Sequence, residues 1–168
     1  MNLIPDRYVK NAYIIDYEKL YDDGFRGIIY DIDNTLTGHG KPAEQRTIAH
    51  FKKLKEMGFL VCFLSNNGRE RVELFNEKIG AYYICNAKKP SLGGYEKAMK
   101  KMGTNKENTL FIGDQIFTDI WGAKKAGLFS ILTKRLYFHE EIQIHLKRII
   151  EKPVLLLFFL RGKKYEKD

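Results

Sequence analysis

The stretch Gly27-Ile28-Ile29-Tyr30-Asp31-Ile32-Asp33 decides the fold class of this chain. Its apolar residues are nearly continuous and do not alternate with polar ones, a pattern typical of a parallel strand buried on both faces. An amphipathic segment of helical length follows at Ala43–Met57, and Gly58 is a suitable residue to end it. A buried strand followed by a helix is the unit from which α/β folds are built.

The strand and helix units continue along most of the chain. The pattern predicts further strands at Phe59–Leu64, Ala81–Cys85, Thr109–Gly113 and Phe129–Leu132, and further helices at Arg69–Ile79, Leu92–Met102 and Thr118–Ala126. We therefore expect an α/β fold with a doubly wound parallel sheet of about five strands. The expected organisation is a single domain over residues 1–168, with a core at about 24–133. Helical flanks are expected before Gly24 and over the basic segment 134–168.

Composition limits the classes of function. The chain has 168 residues, of which 44% are hydrophobic and 30% charged, so it is expected to fold and not to be disordered. Its 29 basic and 21 acidic residues give a net charge of +8. This charge favours anionic partners, and phosphate esters, nucleic acid and anionic lipid all remain open.

The cysteines and the first residues bear on the compartment. Cys62 and Cys85 are isolated in apolar runs, and two such residues form neither a disulfide framework nor a zinc motif. Residues 1–7 lack the basic and apolar regions of a secretory signal. We therefore expect a cytoplasmic protein.

Polar side chains follow the predicted strands at the point where each strand ends. They are Asp31, Asp33 and Thr35 after the first strand, Ser65 and Asn66 after the second, Lys89 after the third, and Asp114 and Asp119 after the fourth. Parallel strands bring their carboxyl ends to one edge of the sheet, where α/β proteins bind ligands. The sequence thus predicts one polar site.

The residue types at this edge suit phosphate chemistry. Asp31, Asp33 and Asp114 offer hard oxygen donors, which suit Mg²⁺. Ser65 and Lys89 offer a hydroxyl and a cation for phosphoryl oxygens. One carboxylate can attack phosphorus, while another protonates the leaving oxygen and then activates water.

Each motif alone also has an ordinary structural explanation. An Asp-x-Asp is often a turn or a helix cap, Ser65-Asn66-Asn67 is a good turn former, Lys88-Lys89-Pro90 suits a solvated loop, and Gly113-Asp114 is a common strand exit. Their occurrence together, each at a strand end, favours a shared site.

In this combination the motifs resemble the four motifs of the haloacid dehalogenase phosphatase superfamily. They are Asp31-Ile32-Asp33-Asn34-Thr35, Ser65-Asn66, Lys89-Pro90 and Gly113-Asp114-x-x-x-Thr118-Asp119. The resemblance implies that Asp31 is the nucleophile and a metal ligand. It also implies that Asp33 is the general acid and base, with its backbone carbonyl on the metal.

The resemblance assigns the remaining site residues as well. Asp114 would ligate Mg²⁺, and Ser65, Asn66 and Lys89 would bind the phosphate. Thr35 and Asp119 would lie behind these ligands, with Asp119 reaching the metal indirectly. Lys88 competes with Lys89 for the role of the lysine, and the position directly before the proline favours Lys89.

Spacing between the motifs indicates a subclass. The gaps 38–64 and 67–87 each hold one helix and one strand, which leaves no room for a cap domain. The chain therefore resembles the capless, type III A group. With its opening Leu3-Ile4-Pro5-Asp6 it is more specifically similar to the YqeG family, which in turn is similar to the mitochondrial phosphatidylglycerophosphatases.

An open site needs a bulky substrate or a second subunit to cover it. The segment 147–168 brackets the apolar run Val154–Leu160 with basic residues, so it suits either an anionic membrane surface or packing on the core. Phosphatidylglycerol phosphate would satisfy the charge, the open site and this segment together. Small soluble esters and nucleic-acid phosphates remain alternatives, although no nucleic-acid motif is recognised. A further alternative is an interaction or assembly module that retains the fold.

Overall fold

A computed structural model describes residues 2–136 and 142–167, and for 142–150 it describes the helical backbone alone. Its seven strands are β1 (Arg7–Val9), β2 (Gly27–Tyr30), β3 (Leu60–Leu64), β4 (Tyr82–Ile84), β5 (Thr109–Gly113), β6 (Phe129–Thr133) and β7 (Tyr165–Glu166). They form one sheet in the order β4-β3-β2-β5-β6-β1-β7, and every pair is parallel.

Helices connect the strands. They are α1 (Tyr17–Asp22), α2 (Gln45–Glu56), α3 (Arg69–Asn76), α4 (Leu92–Met102), α5 (Trp121–Lys125) and α6 (Ile142–Leu160). A short 3₁₀ turn, Ala12–Ile14, precedes α1, and a π-helical turn, Ile116–Ile120, precedes α5.

The continuous hydrophobicity of the strands reflects burial on both faces of the sheet. Ile28 and Tyr30 of β2 pack in the core that contains residues of α1, α2 and α3. Ile29, between them, packs in the opposite core with Tyr95 and Ala98 of α4. The predicted parallel, doubly wound α/β sheet is therefore confirmed.

Two of the seven strands were not predicted. β1 lies in a segment for which the sequence suggested a helical flank, and β7 follows the helix at the other end of the chain. They have three and two residues, too few for a hydrophobic period to be visible. They pair with each other, and the side chains of Arg7 and Glu166 form an ion pair across them.

The predicted helix Thr118–Ala126 is in fact divided between the π-helical turn and α5. Tyr95 explains part of this local geometry, because its hydroxyl donates to the carbonyl oxygens of Thr118 (3.0 Å) and Asp119 (3.2 Å). Gly122 is required beside it, since a Cβ at that position would collide with the Tyr95 hydroxyl. The close approach fixes the turn that carries Asp119.

The apolar run at the C-terminal end has two different faces. Val154 and Phe158 of α6 are buried, Phe158 completely, against a cluster that includes Ile116 and Leu132. Leu156 and Leu160 are exposed on the other side of the helix. Packing on the core is thus confirmed for one face of this run, and contact of the other face with a membrane surface stays a prediction. Within the described residues, no helix combines the length and the hydrophobicity needed to cross a membrane.

Candidate active site

The sheet delivers the motif residues to one edge. Asp31 directly follows β2, Ser65 follows β3 and Asp114 follows β5, and these three strands are neighbours in parallel orientation. Lys89 comes from the loop after β4. All four side chains are buried, with the residues between 2% and 8% exposed. These four side chains are therefore largely removed from solvent in the described part of the chain.

Lys89 is at the centre of the charge network. Its Nζ lies 2.6 Å from Oδ1 of Asp31 and 2.7 Å from Oδ1 of Asp119. The neighbouring Lys88 takes a left-handed φ of 54° and its side chain is exposed. The structure thus places Lys89, and not Lys88, beside Asp31.

Three buried carboxylates form a compact cluster. One oxygen each from Asp31, Asp114 and Asp119 lies within 4.8 Å of the others. The hydroxyl of Thr35 lies 3.3 Å from Oδ2 of Asp31 and 3.3 Å from Oδ1 of Asp114, so it joins two members. On the far side, Nε of Arg135 is 2.6 Å from Oδ2 of Asp114.

Gly113 allows Asp119 to enter this cluster. A Cβ built on Gly113 would lie 2.6 Å from Oδ2 of Asp119, closer than real contacts permit. The same carboxylate oxygen accepts a hydrogen bond from the backbone N–H of Gln115 at 3.1 Å. A glycine at the end of β5 is therefore needed to hold Asp119 beside Asp31 and Asp114.

Burial of these groups shifts their proton affinities. Burial, together with repulsion by Asp119, raises the pKa of Asp31 to about 6, against the lowering effect of Lys89. Burial and the neighbouring Asp31 and Asp119 also raise the pKa of Asp114 well above its usual range. Burial opposes the charged form of Lys89, but the carboxylates of Asp119 and Asp31 outweigh it, and its pKa is raised. Repulsion between the neighbouring carboxylates thus disfavours the fully ionised form of the cluster.

The donor set fits a divalent cation. Asp31, Asp114 and Asp119 bring three negative charges, whereas Lys89 and Arg135 contact them with two positive ones. Uncompensated charge is costly in a buried site, and a cation among hard carboxylate oxygens removes that cost. The residues present therefore suit a metal such as Mg²⁺.

The carboxylate of Asp33 lies outside this cluster and has partners of its own. Its Oδ1 lies 2.6 Å from Nη2 of Arg71 and accepts from the backbone N–H of Gly40 at 3.2 Å. Its Oδ2 accepts from Nδ2 of Asn67 at 2.6 Å. In the described residues, the third carboxylate grouped with Asp31 and Asp114 is that of Asp119, and a metal contact from the Asp33 side chain has no support here. A backbone carbonyl ligand at Asp33 stays a prediction.

Ser65 and Asn66 differ in what they do locally. The Ser65 hydroxyl accepts from the backbone N–H of Asn67 at 3.1 Å. Oδ1 of Asn66 accepts from the Lys89 backbone N–H at 2.7 Å, and its Nδ2 donates to the Lys89 carbonyl oxygen at 3.3 Å. Asn66 therefore fastens the backbone of Lys89, and its predicted contact with phosphate stays a prediction.

Arg71 and Arg135 are site residues that the sequence reasoning missed. Arg71 is on α3, in a chain with 29 basic residues, and no sequence signal distinguishes it from the others. Arg135 comes two residues after β6, so the rule of polar residues at strand ends would have found it. Both hold a carboxylate of the site by an ion pair of 2.6 Å.

A cavity of about 220 Å³ adjoins the site on the side of α6. Asp114 and Arg135 line it at the catalytic edge, while Tyr8, Leu132 and Leu155 give it an apolar wall and Lys152 adds a cation. Glu151 also lines it, so the space beside Asp114 has an apolar wall and charged groups of both signs.

Comparisons with known proteins agree with this geometry. A sequence model of the haloacid dehalogenase-like hydrolases matches residues 45–127. The chain is 37% identical over 160 residues to the probable phosphatase YqeG of Bacillus subtilis (strain 168), covering 95% of this chain and 93% of the relative. It is 26% identical over 179 residues to the chloroplastic/mitochondrial phosphatidylglycerophosphate phosphatase 1 of Arabidopsis thaliana, covering 96% of this chain and 50% of that protein.

Solved structures are similar in fold. The cobalt-bound deoxy-D-mannose-octulosonate 8-phosphate phosphatase of Haemophilus influenzae superposes with a TM-score of 0.53 at 18% identity, covering 80% of this chain and 90% of its own. A structure described as a HAD superfamily (subfamily III A) hydrolase from Legionella pneumophila gives a TM-score of 0.54 at 18% identity, covering 73% and 75%.

Proposed function

Because the chain belongs to the haloacid dehalogenase-like hydrolase family and is a phosphatase of that family, we propose that it hydrolyses phosphate monoesters through an aspartyl-phosphate intermediate with Mg²⁺ as cofactor. The observation that carries the proposal is the buried contact of Lys89 with Asp31 and Asp119, beside Asp114. A nucleophilic carboxylate between a fixed cation and a metal-binding cluster is the arrangement that phosphoryl transfer requires.

In the proposed first step, an Oδ atom of Asp31 attacks phosphorus, and the bond from phosphorus to the alcohol oxygen breaks. Asp33 gives its proton to that oxygen. In the second step Asp33 takes a proton from water, the water oxygen attacks phosphorus, and the bond to Asp31 breaks to release phosphate. Arg71 and Asn67 hold the Asp33 carboxylate in place for both proton transfers.

The phosphoryl group would be held by Lys89 and by the hydroxyl of Ser65. Asp31, Asp114 and the backbone carbonyl of Asp33 would hold the Mg²⁺, and the position of Asp119 makes it a further candidate ligand. When bound, the cation neutralises charge on the phosphoryl oxygens. Thr35 joins Asp31 to Asp114 and keeps the two carboxylates oriented.

We propose a bulky phosphate monoester, such as phosphatidylglycerol phosphate, as the substrate. The connections between the motif residues consist of α2 with β3 and of α3 with β4, so no cap encloses a small metabolite. The Arabidopsis relative, of which the chain spans about half the length, is named as a phosphatidylglycerophosphate phosphatase. The proposed location is the cytoplasm, peripheral to the inner membrane surface through residues 147–168, where such a lipid would be presented.

A panel of phosphate esters tests this function. Phosphate release is measured with Mg²⁺ from p-nitrophenyl phosphate, a sugar phosphate, a 3′-phosphorylated oligonucleotide and phosphatidylglycerol phosphate in mixed micelles. We expect the highest kcat/KM for the lipid ester. A preference for the sugar phosphate or the oligonucleotide would replace the substrate proposal. If no ester releases phosphate, the interaction module becomes the better proposal. If a second subunit covers the site, the specific activity should rise with protein concentration.

A further inference from the structure

The outward side of α6 carries an apolar patch, here called the outer face: Leu156, Leu157, Phe159 and Leu160, which are 60%, 50%, 46% and 72% exposed. The other large apolar side chains that are exposed in the described residues are Leu74 of α3, and Leu60 and Tyr82, which border one cavity on the neighbouring strands β3 and β4. The outer face brings four such side chains together on one helix, and a contiguous apolar patch of this kind marks a contact surface.

The outer face is presented by a helix that is firmly seated. Phe158 is completely buried and Val154 is 9% exposed, in a cluster with Leu3, Ile4 and Ile120. Apolar residues thus occupy both sides of this part of α6, and the inner side is already used for packing. The exposure of the outer side chains therefore does not come from a loosely attached end.

Charge around the outer face is one-sided. Lys152, Arg161 and Lys164 are exposed beside it. The two described acids of this part of the chain have partners of their own, since Glu151 accepts from the backbone N–H of Ile116 at 3.0 Å and the partly exposed Glu166 pairs with Arg7. The outer face consequently presents hydrocarbon bordered by positive charge.

We propose that the outer face of α6 docks side-on to an anionic lipid bilayer. Apolar side chains bracketed by Lys and Arg enter the interface between headgroups and acyl chains, and the basic residues bind anionic headgroups. A second copy of the chain is a poorer occupant, because it would bring the same positive border against this one.

A cavity lies between α6, the helix that carries the outer face, and Asp114 of the carboxylate cluster. Lys152 and Leu155 of α6 line the space of about 220 Å³ whose other walls include Asp114 and Arg135. Leu156 lies four residues beyond Lys152, a rise of about 6 Å along the helix. Docking would therefore bring a lipid phosphate close to the site, a consequence that rests on the proposed function, whereas the docking itself does not.

Vesicle sedimentation tests the docking with the full-length protein. Phosphatidylcholine vesicles with and without phosphatidylglycerol are compared at low and high salt. We expect binding to the anionic vesicles that weakens as salt rises. The variant Leu156→Gln/Leu160→Gln should bind at least about tenfold more weakly, since it removes apolar area from the interface. Leu74→Gln, at an exposed leucine of α3, is the matched control and should bind normally.

Charge is tested by a second pair of variants. Arg161→Glu/Lys164→Glu should weaken binding to anionic vesicles by at least about tenfold. Lys97→Glu/Lys100→Glu makes the same change of net charge on α4 and should leave most of the binding intact. All four variants should hydrolyse p-nitrophenyl phosphate at the normal rate, which shows that they are folded.

Two results would overturn the proposal. One is an intact protein that ignores anionic vesicles at low salt. The other is a dimer, seen by analytical ultracentrifugation, that Leu156→Gln/Leu160→Gln dissociates, because the occupant would then be a second copy. Asp31→Asn should bind vesicles like the intact protein. An intact protein that binds anionic vesicles but releases phosphate from no ester would contradict the proposed function and leave the docking in place.

Discussion

The catalytic edge of the sheet buries charge, whereas the outer face of α6 exposes hydrocarbon. Asp31, Asp114 and Asp119 are between 1% and 7% exposed, while Leu160 is 72% exposed. Both regions depart from the usual distribution of polar and apolar groups in a folded chain. The two departures differ in how they are compensated.

At the catalytic edge, compensation lies within the protein. Lys89 and Arg135 pair with the carboxylates, and the remaining negative charge suits a cation. At the outer face of α6, no described residue covers the leucines. In our proposals an ion would complete the first region and a lipid surface the second, so perturbing them should give different results.

Removal of divalent metal should give the largest effect. EDTA is expected to abolish phosphatase activity, because the buried carboxylates need a cation to accept a phosphate dianion. Mg²⁺ should restore activity and Ca²⁺ should do so poorly, since Ca²⁺ is larger and takes more ligands. Vesicle binding in EDTA should be unchanged. Activity that survives EDTA would contradict a metal role for Asp31 and Asp114.

The second largest effect is expected from the substitution Asp31→Asn. An amide is a poor nucleophile toward phosphorus, so we expect kcat to fall by at least about a hundredfold with the fold intact. Stopped assays with p-nitrophenyl phosphate measure the loss, and circular dichroism monitors the fold. Asp23→Asn, an exposed aspartate after α1, is the matched control and should keep normal activity. Near-normal turnover by Asp31→Asn would exclude the covalent mechanism.

The neighbouring residues Lys88 and Lys89 allow the effect of removing an exposed charge to be compared with that of removing a buried one. Lys89→Met leaves the Asp31 and Asp119 carboxylates without their shared cation, and breaking such a buried pair costs about 3–5 kcal/mol of stability. Lys88→Met should change the free energy of unfolding by less than about 0.5 kcal/mol, because the side chain is exposed. Urea denaturation measures both. Equal effects at the two positions would show that Lys89 does not stabilise the cluster.

A second adjacent comparison lies within α6. Phe158→Ala should cost about 3 kcal/mol, since the ring is completely buried against Ile116 and Leu132. Leu160→Ala should cost less than about 0.5 kcal/mol. Thermal unfolding of both variants checks the two-faced description of the helix, and a large loss at Leu160 would mean that the outer face packs on protein.

The last prediction concerns the pH dependence of stability and the side chain of His50, whose charged form is disfavoured by burial. Burial, helped by Arg46 and Lys53, lowers the pKa of His50 from 6.5 to about 4 in the folded protein. Between pH 6.5 and about 4, His50 is therefore mostly protonated in the unfolded chain and mostly neutral in the folded protein. The free energy of unfolding is therefore unaffected by His50 above pH 6.5, and it decreases as the pH falls from 6.5 toward 4.

His50→Gln should remove this part of the pH dependence. Because the ring is half-buried and solvent screens its charge, we expect a difference of about 1 kcal/mol between pH 7 and pH 4.5. Urea unfolding at the two pH values measures it against the unchanged protein. Parallel pH profiles for both proteins would show that His50 takes up its proton normally in the folded state.

Much of the fold and the site could be predicted, because they depend on local patterns. The buried strands are continuous apolar runs, and Asp31, Ser65 and Asp114 follow them directly. Parallel strands then place these residues together without further information. This is why the edge could be located before any distances were known.

The remaining features depend on contacts between distant segments. Arg71 meets Asp33 from a position 38 residues away, and nothing near Arg71 signals it. Asp119 enters the carboxylate cluster because the π-helical turn and Gly113 let it approach. The seven apolar residues from Val154 to Leu160 contain no polar position, so periodicity could not tell their buried side from their exposed one.

The position of β1 in the sheet has a consequence for biosynthesis. β1 pairs with β6 and β7, and its Arg7 meets Glu166 across a separation of 159 residues. At about 5–20 residues per second, a ribosome needs on the order of 10–30 s to make the chain between them. For most of that interval, until β6 has been made, β1 has no neighbouring strand to pair with, while β2 and β3 can already pair. Of the described strands, β1 is thus made first and is among the last to be paired on both sides.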